Sequence, residues 1–130
     1  MTSLVKKVLI IDDDESLREV LQATLEFEGF SVRLAGHGQE ALELLTSLPT
    51  EEFPDCMLLD LMMPIMDGNR FLEELKKQPQ QGLGKIPVVV YSGYGEYVEQ
   101  PQVFSRVQKP VAVADLIAAL NLAVLSSSNK

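Results

Sequence analysis

Residues 8–21 read VLIIDDDESLREVL, and the fold turns on how this stretch divides. Val8, Leu9, Ile10 and Ile11 form the short aliphatic run of a buried strand, and the run stops abruptly at Asp12, Asp13, Asp14 and Glu15. Beyond the acids, Leu17, Val20, Leu21, Thr24 and Leu25 recur at helical spacing, so an amphipathic helix follows with one face turned inward. A strand that passes within four residues into such a helix is the opening half of a β-α-β unit. The four acids repel one another, and clustering them costs free energy unless a positive charge joins them. Either they are solvated, or they hold a cation.

The same alternation continues outward. Gly29 stops the first helix, FSVRLA (30–35) alternates as a strand does, and GQEALELLTSL (38–48) returns to helical period. DCMLLDL (55–61) is a buried-type strand, followed by a helix in GNRFLEELKKQ (68–78) with Phe71, Leu72 and Leu75 inward. GLGK (82–85) breaks the chain before the strand IPVVVYS (86–92). GYGEYVEQPQ (93–102), with two glycines and a proline, supports at most a short helix. VFSRVQ (103–108) is a fifth strand and VAVADLIAALNLAVL (111–125) a closing helix. The expected domain spans residues 4–126, with 127–130 as a disordered tail. Strands alternating with helices imply parallel pairing, right-handed crossovers and helices on both faces of one sheet.

A chain of 130 residues is the size of one domain with a core of its own. Nineteen acids against eleven bases give a formal charge of -8, which opposes nonspecific binding to nucleic acid or an anionic membrane surface. The single cysteine, Cys56, offers neither an intramolecular disulfide nor a thiolate metal site and reads as a buried structural thiol. No apolar run approaches the length of a membrane span or a signal peptide, and the expected location is the cytoplasm.

In an open parallel sheet, ligands gather beyond the carboxyl ends of the strands. Those ends carry Asp12, Asp13 and Asp14 after the first strand, Asp60 after the third, Ser92 after the fourth and Lys109 near the end of the fifth. Each type has a use with a phosphoryl group: carboxylates are hard oxygen ligands for Mg²⁺, and a hydroxyl and an ammonium neutralise phosphoryl oxygens.

With VLIIDDDESLREVL, GQEALELL, PDCMLLDLMMPIMDG, VVVYSG and QKP in place, the chain resembles the receiver domains of two-component response regulators, and does so over nearly its whole length. The resemblance implies an α/β, flavodoxin-like (βα)5 fold, a doubly wound parallel sheet of five strands in the order 2-1-3-4-5. It also implies that Asp60 accepts a phosphoryl group from the phosphohistidine of a histidine kinase or histidine phosphotransfer protein, and is not otherwise an enzyme. Mg²⁺ would be held by Asp12, Asp13, Asp60 and the backbone carbonyl of Met62. Ser92 and Lys109 would meet the phosphoryl oxygens, and Asp14 and Glu15 would favour the positive end of the first helix.

Three features depart from that pattern. Arg106 stands where many receivers carry an aromatic switch residue, with Phe104 on the same strand face only if no bulge intervenes. Ser92 and Lys109 are 17 positions apart, tighter than the family norm, so the fourth helix is expected to be shortened or irregular. The last helix carries no charge after Asp115 until Lys130. If Val113, Leu116, Ile117, Leu120 and Val124 face the sheet, Ala118, Leu122 and Leu125 point outward, and a homodimer or a neighbouring domain is expected to cover them. Two other classes stay open: a receiver used only as a phosphorylation-independent contact module, and a dehalogenase-type hydrolase using Asp12 and Asp14. His37 sits on the approach to the second helix, away from the strand ends, as neither ligand nor phosphodonor.

Overall fold

A computed structural model describes residues 5–63, 65–80, 82–93 and 100–128. β1 (Lys6–Ile11) leads into α1 (Glu15–Phe27), β2 (Phe30–Ala35) into α2 (Gly38–Ser47), and β3 (Cys56–Asp60) into α3 (Gly68–Lys76). β4 (Val88–Ser92) and β5 (Val103–Gln108) follow, and α4 (Val113–Ser128) closes the order. All pairings are parallel and the sheet runs β2-β1-β3-β4-β5, the expected flavodoxin-like arrangement. The helix expected in residues 93–102 falls largely on 94–99, outside the described residues. α4 continues through Ser128, two residues beyond the expected domain end. Among the described residues no helix is long and apolar enough to cross a membrane.

Because side chains alternate along a strand, the central strands feed two separate cores. Leu9 and Ile11, Met57 and Leu59, and Val88 and Val90 pack with Ala41, Leu45, Phe71 and Leu75 of α2 and α3. Val8 and Ile10, Cys56 and Leu58, and Val89 pack with Leu21 and Leu25 of α1 and with Leu116, Leu120 and Ala123 of α4. Cys56 is the buried thiol its apolar neighbours imply, and burial pushes it up to about 12, which keeps it protonated and inert.

Some side chains depart from expectation. Leu17 is half-buried and Leu21 and Leu25 are buried in α1, but Val20 on the flank of that row is exposed. In α4 the buried row is Leu116, Leu120 and Ala123, with Ile117 and Val124 half-buried, while Val113 at the helix's first position is exposed. Leu122 and Leu125 point outward as expected. A register shift opposite Val88 and Val89 leaves Phe104 as an extra residue in β5, so the bulge that would disturb its alignment is present.

Candidate functional site

The register brings the strand ends together. Ile11 pairs with Leu59, so Asp12 and Asp60 emerge side by side at the ends of β1 and β3. Asp60 in turn pairs with Tyr91, and Ser92 with Gln108, which sets Lys109 one residue past the end of β5. The Lys109 N–H donates to the Ser92 carbonyl at 2.7 Å, and the Asp12 N–H donates to the Ala35 carbonyl at 3.1 Å, so the loops leaving β1 and β5 are tied to neighbouring strand ends.

Asp12, Asp13 and Asp60 each present a carboxylate oxygen, and these oxygens lie within 4.8 Å of one another. Asp12 and Asp60 are only 2% and 4% exposed, whereas Asp13 is open to solvent. Lys109 Nζ reaches Asp60 Oδ2 at 3.5 Å and Asp12 Oδ2 at 4.0 Å. Asp12 Oδ1 accepts from the Asp14 N–H at 2.9 Å, and Asp60 Oδ1 accepts from the Met62 N–H at 3.2 Å. Each buried carboxylate thus has one oxygen held by backbone and one facing the ammonium. Asp12 Oδ2 is buried and makes no hydrogen bond.

Burial dominates the protonation of both buried acids. Asp12 is raised above the ordinary carboxylate range chiefly by desolvation, against the lowering pull of the Asp14 N–H and of Lys109. Asp60 is raised for the same leading reason; the Met62 N–H and Lys109 oppose the shift and the neighbouring Asp12 charge adds to it. Three carboxylates around one ammonium leave the ionised cluster two charges short of neutrality. An orphaned carboxylate oxygen, converging hard oxygen donors and a deficit of two positive charges fit an oxygen-preferring divalent cation such as Mg²⁺.

The other expected site residues take distinct places. Ser92 is buried at the end of β4. Met62 is joined to the site through its N–H while its side chain is exposed, and Met63 and Met66 fill the core between the sheet, α2 and α3. Asp14 is the N-cap of α1, accepting from the Leu17 N–H at 3.1 Å, and Glu15 lies in the first turn, so these two acids serve the helix. His37 caps α2, its Nδ1 accepting from the Glu40 N–H at 3.3 Å. Arg106 is exposed on the β5 face opposite to Val107.

Two contributors escaped the sequence reading. Arg18, one turn into α1, donates from Nη1 to the Asp12 carbonyl at 2.6 Å and braces the acidic loop from outside. Tyr91 lies under Lys109, with Nζ 4.7 Å from its ring centroid. Strand alternation could have pointed to Tyr91, since it places residue 91 on the sheet face from which Asp12 and Asp60 start.

A family model described as the response regulator receiver domain matches residues 8–121. Response regulator RR06 of Streptococcus pneumoniae is 37% identical over 115 residues, which cover 85% of this chain and 49% of that protein. Response regulator MprA of Mycolicibacterium vanbaalenii is 32% identical over 119 residues, covering 88% of this chain and 48% of the relative. The chain therefore spans about half the length of these curated relatives. Among solved structures, a CheY-like response regulator receiver domain protein from Methanospirillum hungatei superposes with a TM-score of 0.82 at 27% identity, covering 96% of this chain and 98% of that one.

Proposed function

Since the chain belongs to the response regulator receiver domain family, we propose that it is a phosphoacceptor switch of a two-component phosphorelay, with Asp60 as the acceptor. The observation that carries the reading is the buried Asp60 carboxylate, set 3.5 Å from the Lys109 ammonium and inside a cluster of three carboxylates. In the transfer, an Asp60 carboxylate oxygen bonds to the phosphorus of a phosphohistidine on a histidine kinase or histidine phosphotransfer protein. The P–N bond breaks, and its electron pair leaves with the donor imidazole, which is left neutral after gaining or retaining one proton. Such a transfer needs positioning and charge neutralisation more than acid–base help.

Each residue has a part in that step. The Met62 N–H holds Asp60 Oδ1, which leaves Oδ2 on the side of Lys109. Lys109 neutralises charge on the incoming phosphoryl oxygens, and Ser92 donates a hydrogen bond to one of them, so the signal starts as a shift at the end of β4. Asp12, Asp13, Asp60 and the Met62 carbonyl would hold Mg²⁺. When bound, the ion supplies Lewis-acid neutralisation of phosphoryl charge. The receiver unit is taken as residues 4–126, working in the cytoplasm, with the exposed Leu122 and Leu125 of α4 covered by a second copy or a neighbouring domain.

Beryllofluoride, which mimics the acyl phosphate, tests the reading directly. With Mg²⁺ present, its binding should shift amide resonances at residues 60, 92 and 109, and Asp60→Asn should abolish the shifts. Failure of the unmodified chain to bind it would leave the acidic cluster without a switch role and return the protein to a contact module.

A further inference from the structure

We propose that Tyr91 is a positioning residue for phosphoryl transfer, its ring holding the Lys109 ammonium against Asp60; the inference rests on the phosphoacceptor reading above and extends it to a residue outside the acidic cluster.

Strand parity places the parts on one face of the sheet. Val8 and Ile10 of β1, Cys56 and Leu58 of β3, and Val89 of β4 all face α1 and α4, and Tyr91 packs against that same core. Continuing the alternation, Asp12 follows Ile10 and Asp60 follows Leu58, so both buried acids start from the face on which Tyr91 lies. Asp60 and Tyr91 are direct register partners, and Tyr91 pairs on its other side with Val107, two residues before Lys109. Ser92 starts from the opposite face, with Val88 and Val90.

The distances say why a ring is useful here. A tight ammonium–carboxylate hydrogen bond spans about 2.7–2.9 Å, whereas Lys109 Nζ stands 3.5 Å from Asp60 and 4.0 Å from Asp12. The carboxylates attract the ammonium without locking it, and a four-carbon stem leaves many rotamers open. The Tyr91 ring centroid, 4.7 Å from Nζ, lies inside the range of about 6 Å over which the negative face of an aromatic ring attracts a cation. The ring is thus a third point of attachment, one that takes up no carboxylate oxygen. Val88, Val89 and Val90 precede it, so a further aliphatic would have continued the strand, and only an aromatic adds attraction for the charge.

The test separates this role from packing. In the unmodified protein, the ε-methylene protons of Lys109, assigned by their disappearance in Lys109→Arg, should resonate upfield under the ring. Tyr91→Phe should keep that shielding and Tyr91→Leu should remove it. Phosphorylation by phosphoramidate, a small donor that needs no partner protein, should slow about fivefold in Tyr91→Leu, the loss expected for an exposed to partly buried cation–ring contact. Tyr91→Phe should restore the rate. Mg²⁺ affinity, followed through the Asp13 amide, should stay within twofold in Tyr91→Leu, whereas general damage to the site would weaken it together with the rate. Should Tyr91→Leu fail to fold, Tyr91→Met takes its place. Unshielded Lys109 protons in the unmodified protein, equal rates with and without the ring, or failure of phenylalanine to restore the rate would each overturn the proposal while Asp60 remained the acceptor. An unmodified protein that takes neither phosphoryl group nor beryllofluoride would overturn the phosphoacceptor reading and this proposal together.

Discussion

Ile65, in the loop between Asp60 and α3, adopts a φ of 70°, the one non-glycine residue with positive φ among those described. The left-handed region costs an L-residue roughly 1–2 kcal/mol through its Cβ, and β-branching makes it worse. Burial does not compensate, because the side chain is 77% exposed. Asparagine tolerates this conformation without the unfolded-state entropy that glycine would add. Ile65→Asn should therefore stabilise the fold by about 1 kcal/mol in urea titration; a loss of stability would show instead that the isoleucine makes an apolar contact outweighing the strain. The neighbouring acids show a comparable division of labour. Asp67 caps α3 by accepting from the Arg70 N–H at 2.9 Å, and Asp14 caps α1, while Asp12 and Asp60 give up solvent to join the acidic cluster. Residue type announced the candidate site at Asp12, Asp13, Asp60 and Lys109, because hard acids and one ammonium at strand ends have a chemistry of their own. Nothing in residue type announced Tyr91 or Arg18, whose roles depend on register and helix phase.

α3 starts hard against the chain that leaves β3. A Cβ on Gly68 would stand 2.9 Å from Leu61 Cα and 3.0 Å from the Asp60 carbonyl oxygen, both backbone atoms that cannot swing aside. The Gly68 N–H also donates to the Leu61 carbonyl at 3.0 Å, so the first turn of α3 is pinned against the residue that follows Asp60. Gly68→Ala should cost about 1–3 kcal/mol as an overpacking substitution, read by chemical denaturation. It should also weaken beryllofluoride binding, because moving α3 outward moves Asp60. Unchanged stability would mean that the loop yields freely. Element order and the parallel sheet were legible, and strand ends came within two residues, because hydrophobic runs and helical spacing alternate without ambiguity up to β4. Faces were less legible. The Leu17–Leu21–Leu25 row alone suffices to seat α1, which leaves Val20 outside, and the apolar sequence of α4 gives no contrast by which to phase it. In β5, the extra residue at Phe104 is set by pairing with β4, a nonlocal event that alternation within one strand does not reveal.

Across the whole molecule, the cluster places a cost on folding that rising pH should increase and a divalent ion should relieve. Asp12 and Asp60 have folded-state pKa values raised above the ordinary 3.8, so between that value and the raised ones the folded state binds more protons than the unfolded state. Stability from these two groups consequently falls as pH rises through that window, and is regained as pH is lowered toward 3.8. With chelator present, Asp12→Asn should therefore be more stable than the parent at neutral pH, with the advantage shrinking as the solution is acidified. Using the difference between parent and variant cancels the contribution of the other acids in a chain of formal charge -8. A divalent ion acts on the same charges from the other side. Binding only the folded state, Mg²⁺ at a hundredfold its Kd should stabilise the parent by about 2.7 kcal/mol, and less in the variant, which lacks one of the converging carboxylates. The gain should fade in acid as protons displace the ion. Denaturation curves of parent and Asp12→Asn, at neutral pH and near pH 4, with and without Mg²⁺, decide the matter: a parent that outlasts the variant in chelator would mean that the Lys109 ion pair outweighs the burial of Asp12.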